Sequence, residues 1–417
     1  MLRHLLVCSS IGIGIEPQLA SLSREITSWE RNKFMSDNAQ SSWYQIQNAA
    51  DIPSPALLVY PDRIKHNLQQ MIAWGGVEVL RPHVKTHKMS RVVQLKLDAG
   101  ITKFKAATIA EAEMTAAAGG KDILVAYPCV GPNQQRLLRL ISTFPETAFS
   151  TLVDDFETAQ SLSQAAAEAK VEIPVYLDLN VGMDRTGIAP GPAAEALYGQ
   201  LAELPGLKVT GLHVYDGHIH GTDDQVITQA VDQAFAPAWQ MRANLLEQGL
   251  PVPHVVGCGT TSSCWMAGVV DRQAQSGGAT VPVEVSAGTS VLWDAGQDGL
   301  SPPMGIQNAA VLLARVISRP TEKTICIDLG HKAVASEMQP PRVEFFGLPD
   351  AKLMIHSEEH LVLEVPDADR FPVGTVLYGV PTHICPTVAL HEVVYCVNGG
   401  QVTEAWQVDA RKRVITI

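Results

Sequence analysis

The chain has 417 residues, enough for two or three domains with sizeable cores. Nearly half of it is hydrophobic and 18% is charged, which excludes a disordered or fibrous chain. A formal net charge of -12 without a long basic run excludes a general nucleic-acid surface, and no stretch reaches the roughly 18 apolar residues of a membrane span.

Seven scattered cysteines, odd in number and without CxxC spacing, fit free thiols in a reducing, cytoplasmic compartment. The opening "MLRHLLVCSSIGIGI" is faintly like a signal peptide, but no small-residue cleavage site follows it. Residues 1–40 are expected to be a mobile extension, with Met35 as a candidate natural start.

From residue 56 the elements alternate. "ALLVY" precedes a helix-like "PDRIKHNLQQMIAW", whose Pro61 suits a first helical turn. Then come "VEVLRPHVK", "FKAAT", "ILVAY", "FSTLVD", "PVYLDLN", "VTGLHVY", "HVVGCG" and "VPVEVS", nearly all separated by helical segments. Continuous apolar strands spaced by helices read as parallel strands covered on both faces. Eight of them, counted from Val77, predict a (β/α)8 barrel over residues 50–289. A doubly wound open sheet is the alternative, but no GxGxxG follows an early strand. Beyond residue 290, short β-like runs between Pro, Gly and Asp turns predict a mostly β domain over 290–417.

Barrels place their chemistry at the C-terminal ends of the strands. There the sequence carries "RPHVKTHK", "LNVGMDRTG", "HVYDGHIH", "GCGTTSS" and "SAGTSVLWD". Each alone could be a solvated loop; together they would share one rim. "GCGTTSS" offers backbone N–H groups and hydroxyls suited to a phosphate. Lys85, read as a strand residue beside Arg81, His83 and Lys88, would have its pKa lowered and become a nucleophile for a carbonyl. A reactive lysine with a phosphate nest suggests pyridoxal phosphate; the bland reading of Lys85 is a surface lysine. In "PTHICPT", His383 and Cys385 would face one side of an extended strand and suit zinc or another divalent ion. A buried Cys beside a capping His is the other reading.

These motifs, with "EVSAGT" and "SEEH", together resemble the fold-type III pyridoxal-phosphate enzymes, with an alanine racemase-like barrel, in the D-threonine aldolase and D-serine dehydratase branch. The resemblance covers about residues 50–417. It implies a Schiff-base lysine at Lys85, with Lys88 as the near alternative. It implies that Arg185 reaches the cofactor ring, that Tyr215 lies at the cofactor, and that Gly259 and Thr260 cradle the phosphate. His218 falls on a base, and His383 with Cys385 on the ligands of a divalent metal (Zn, Mn, Mg or Co). Where relatives commonly carry a tyrosine two positions after "EVSAG", this chain has Ser290.

The activity so implied is a lyase cleaving D-3-hydroxy amino acids to glycine and an aldehyde. The alternative is a dehydratase of D-serine or 3-hydroxy-D-aspartate; a racemase or a non-catalytic pyridoxal-phosphate carrier fits the metal pair and the β domain less well. The expected partner is a small D-amino acid, with neither nucleic acid nor membrane, and the expected assembly is a homodimer.

Overall fold

The computed structural model describes residues 42–269 and 283–417. The expected extension, but for its end, and the Met35 start lie outside the described residues. Ile46–Ile417 form one compact unit. Among the described residues no helix is long and apolar enough to cross a membrane.

The chain enters through β1 (Ala56–Val59), whose four residues are all buried. It does not join the barrel. It pairs parallel with a strand near the end of the sequence and antiparallel with one that follows the barrel. The barrel sheet runs β2 (Lys103–Ala106), β3 (Asp122–Pro128), β4 (Ala148–Val153), β5 (Ile173–Leu179), β6 (Leu207–Val214), β7 (His254–Gly257) and β8 (Val283–Val285), every neighbour parallel.

The expected first strand is different. Val77–Val79 is a 3-10 turn, and the gap between β8 and β2 is closed by single bridges, Leu80 to Val285 and His83 to Lys105. Pro82 limits regular pairing there, since it offers no N–H; its carbonyl accepts the Lys105 N–H at 3.2 Å. Three of the covering helices start on polar caps, at Thr108, Asp155 and Asp223, whose side chains accept backbone N–H groups of the first turn.

Alternation along the strands fills the barrel in layers. Arg81 lies at the floor, forked onto Asp122 at 2.7 and 2.9 Å and bonded to Glu284, which Lys103 also reaches at 2.8 Å. Leu124, Leu152, Tyr176 and Val256 pack as the next layer. Two residues beyond Lys103 and Tyr176, towards the strand ends, stand the buried Lys105 and Asp178, with His213 beside Asp178.

The second sheet takes β1 together with β9 (Ala310–Thr321), β10 (Thr324–Ile327), β11 (Val343–Phe345), β12 (Lys352–His356), β13 (Leu361–Glu364), β14 (Val376–Pro381), β15 (Val393–Asn398) and β16 (Gln401–Gln407). "SEEH" forms the turn between β12 and β13, where Glu358 pairs with exposed Lys332 at 2.7 Å. The last residues return to the barrel. Ala410 N–H donates to the Lys88 carbonyl at 3.0 Å, Ser90 N–H to the Asp409 carboxylate at 2.7 Å, and Thr416 N–H to Glu113 at 2.9 Å.

Candidate functional site

Lys85 sits in a tight turn after the His83 bridge, not in a strand. The turn closes with Lys88 N–H on the Val84 carbonyl at 2.9 Å, and Lys88 takes a left-handed φ of 53°. This fans the side chains of "RPHVKTHK" apart. Arg81 goes to the floor, Lys88 pairs with buried Glu111, and His87 meets Lys96 at 3.1 Å. Of the expected neighbours only His83 stays, its Nδ1 accepting the Lys85 N–H at 3.2 Å. Burial first, then the charges of Lys85 and Lys105, hold the His83 imidazole well below its ordinary range and so neutral.

Lys105 stands beside Lys85, facing the same aromatic ring. Its amine is pushed down to about 7, chiefly by burial and then by Lys85. Three basic side chains gather around Tyr215: Arg185 at 4.7 Å from the ring centroid, Lys105 at 5.6 Å and Lys85 at 5.8 Å. Tyr215 in turn requires Gly217, where a Cβ would come within 2.4 Å of its ring. His218 is exposed and lies against the Arg185 loop. Gly182 has φ +120°, and a Cβ there would come within 2.8 Å of the imidazole Nε2.

In the glycine turn, the Gly259 N–H donates to the Asp216 carboxylate at 2.5 Å, and Thr260 accepts the Ser263 hydroxyl at 2.6 Å. Asp216 is buried, and burial raises its pKa. A carboxylate therefore already rests on an N–H of the expected anion site. At the end of the neighbouring β8, which Ser286 N–H ties to the Gly257 carbonyl at 3.1 Å, the buried hydroxyls of Ser286 and Ser290 have no hydrogen-bond partner among the described residues. Orphaned buried hydroxyls are what a polar ligand would satisfy, so this region fits a phosphate-bearing cofactor.

His383 and Cys385 do not share a strand. His383 has extended backbone at the N-cap position of the helix Ile384–Leu390, and Cys385 lies in the first turn of that helix. They still converge. The helix is held by Asp294, whose carboxylate accepts Ile384 N–H at 2.9 Å. Cys385 Sγ lies 3.2 Å from the Thr86 hydroxyl, next to Lys85, and 3.6 Å from that of Thr289.

His383 Nδ1 meets Glu337 at 2.5 Å. Burial opposes charge on His383, but Cys385 and Glu337 outweigh it and raise the imidazole to about 9. Burial likewise opposes the Cys385 thiolate, and His383 outweighs it, so the thiol pKa falls. Among the described residues no group of three or more His, Cys, Asp and Glu side chains is arranged to hold a metal ion. Imidazole and thiolate together remain a chemically apt two-donor set, open to substrate or water.

Sequence reasoning missed Lys105, Asp178 and His213. The available signal was a single polar residue inside each apolar run, in "FKAAT", "YLDL" and "GLHVY". His213 Nδ1 lies 2.6 Å from Asp178, both nearly inaccessible.

Known proteins match most of the chain. The alanine racemase N-terminal domain family matches residues 59–276, and the putative serine dehydratase domain family matches 309–397. The chain is 30% identical over 368 residues to a D-threonine aldolase of Arthrobacter sp, covering 87% of this chain and 93% of that protein. It is 27% identical to the D-threo-3-hydroxyaspartate dehydratase of Delftia sp. (strain HT23), over 85% of this chain and 97% of that one. The crystal structure of D-threonine aldolase from Filomicrobium marinum superposes with a TM-score of 0.79 at 29% identity, covering 88% of this chain and 97% of that one. Matched through barrel and β-rich region alike, the chain belongs to the fold-type III pyridoxal-phosphate enzymes, in the D-threonine aldolase and D-serine dehydratase branch.

Proposed function

We propose that this chain is a pyridoxal-phosphate- and divalent-metal-dependent lyase cleaving D-3-hydroxy amino acids to glycine and an aldehyde. The observation that carries the reading is the meeting of two segments 299 residues apart: Cys385 Sγ touches the hydroxyl of Thr86, the neighbour of Lys85. A metal-type donor pair thus stands beside the amine that would hold the cofactor aldehyde.

In this reading the barrel holds the cofactor and the β-rich region contributes the metal ligands. Lys85 would supply the amine, the Gly259–Thr260 turn would hold the phosphate, and Arg185 and Tyr215 would contact the ring. The Gly259 N–H, which now donates to Asp216, would be one of the donors to that phosphate. The bound cofactor supplies an electron sink for the bond-breaking step. His383 and Cys385 would hold the divalent ion (Zn, Mn, Mg or Co), whose Lewis acidity favours ionisation of a substrate hydroxyl. His218, exposed at the mouth against Gly182, takes the hydroxyl proton as general base. A cytoplasmic homodimer belongs to the same proposal. Tyr127 and Val130, each 50% exposed at the end of β3, are apolar surface that a partner would cover.

Product analysis tests this. Purified protein is given D-threonine, D-serine and D-3-hydroxyaspartate, with and without chelator. Glycine with a matching aldehyde, lost on chelation, is the expected result. Stoichiometric ammonia and 2-oxo acid without glycine would overturn the aldolase reading in favour of the dehydratase.

A further inference from the structure

Lys105, Asp178 and His213 play no part in the mechanism above, yet they line the barrel directly beneath Tyr215. Asp178 is fully engaged. One carboxylate oxygen accepts His213 Nδ1–H at 2.6 Å and the other accepts the Thr186 hydroxyl at 2.8 Å. Burial, and then the charge of Lys105, disfavour a second proton on His213, against the pull of Asp178. The ring proton therefore sits on Nδ1, and Nε2 presents a bare lone pair. That Nε2 is buried and has no hydrogen-bond partner. Lys105, only 3% exposed, carries its amine over the Tyr215 ring at nearly the same distance as Lys85.

We propose that Lys105, backed by His213 and Asp178, is a second cofactor-facing amine, binding the ring oxygen adjacent to the aldehyde that Lys85 holds. The inference rests on the pyridoxal-phosphate reading above. On that cofactor the hydroxyl-bearing carbon neighbours the aldehyde-bearing one, so an amine beside Lys85 but deeper in the barrel meets that oxygen. Depth separates this role from binding the substrate carboxylate, which enters from the mouth.

Around Lys105 the cations Lys85 and Arg185 outnumber the one carboxylate, Asp178. His83 and Lys85 face it from the turn, Arg185 from the loop after β5 and Tyr215 from the end of β6. Asp178 and His213 face it from β5 and β6, and the Cys258 thiol, itself pushed up by burial, from the end of β7. An arriving ring oxygen anion offsets that excess. Lys105 then takes a proton from solvent, and the His213 lone pair can accept one of its N–H bonds.

The test uses the cofactor-loaded protein without substrate. The visible band of the bound cofactor titrates with the proton shared between the Lys85 nitrogen and the ring oxygen. A cation at that oxygen repels the proton and lowers the titration midpoint. Lys105→Met and Lys105→Gln should therefore raise the midpoint, by about one pH unit or more. Lys105→Arg should leave it near that of the unsubstituted protein. Borohydride reduction should label Lys85 in every variant, and circular dichroism shows which variants fold.

A midpoint unmoved in whichever neutral variant folds would overturn the inference. So would a label on Lys105, or an Arg variant shifted as far as the neutral ones. No band in the unsubstituted protein would remove the cofactor reading first, and the inference with it.

Discussion

Lys96 is buried, and among the described residues no carboxylate pairs with it; its partner is His87 Nε2 at 3.1 Å. His87 Nδ1 accepts the Met89 N–H at 3.1 Å, and burial holds the ring neutral, so the ring proton sits on Nε2. Nε2–H then donates to the Lys96 nitrogen, which must be an uncharged amine. Burial pushes that amine down from 10.5 to about 7, in agreement. The unfolded chain therefore binds more protons between those values, and stability rises with pH across that window. The slope is at most about 1.4 kcal/mol per pH unit for each such lysine. Lys105 acts in the same sense while the cofactor is absent. Denaturant unfolding of cofactor-free protein, stepped from pH 7 to 10, should show this rise, and Lys96→Met should flatten it. An unchanged slope would refute the proton assignment. None of this was legible in "RPHVKTHK", which reads as one basic patch. A single left-handed residue, Lys88, sends neighbouring side chains to different layers of the barrel.

The helix Ile384–Leu390 shows where local pattern misleads. "ICPTVAL" has β-branched residues and a proline, and reads as strand. Pro386 falls in the first turn, where its missing N–H costs nothing, and Asp294 caps the end. The proposed donor pair was suggested by residue identity, while its geometry depended on a cap 90 residues away. His383→Ala and Cys385→Ala should each abolish turnover while the cofactor band persists. Full activity after exhaustive chelation would contradict the metal assignment. His218→Ala should lose about 10²- to 10⁴-fold in cleavage rate with little effect on cofactor binding. A loss of cofactor comparable with the loss of rate would instead make His218 a binding residue.

Across the molecule, the alternation of strands and helices made the barrel legible, because strands buried on both faces must be apolar throughout. The pairing of β1 was not, since "ALLVY" is as apolar as any barrel strand. By taking β15 on one side and β9 on the other, β1 makes the N-terminal segment part of the C-terminal sheet. Residues 50–289 expressed alone should therefore be insoluble or unfolded, and the full chain should unfold in one transition by circular dichroism. A soluble, folded fragment would show that the barrel stands independently. The floor is a second keystone. Arg81→Leu strands Glu284 with Lys103 as its remaining cation, and should cost about 3–5 kcal/mol in denaturant unfolding. A cost below about 1 kcal/mol would mean that water reaches Glu284.

Residues 409–417 run back over the barrel like a strap, and their bonds to Lys88 and Ser90 grip the backbone just after the Lys85 turn. This bears on handling at the bench. A purification handle fused after Ile417, or a resin linked through it, pulls on the strap, whereas attachment at Lys352, 76% exposed on β12, does not. Protein tethered through Ile417 should shed its yellow cofactor faster in buffer washes than protein tethered at Lys352. Equal bleaching of the two columns would show that the strap bears no such tension.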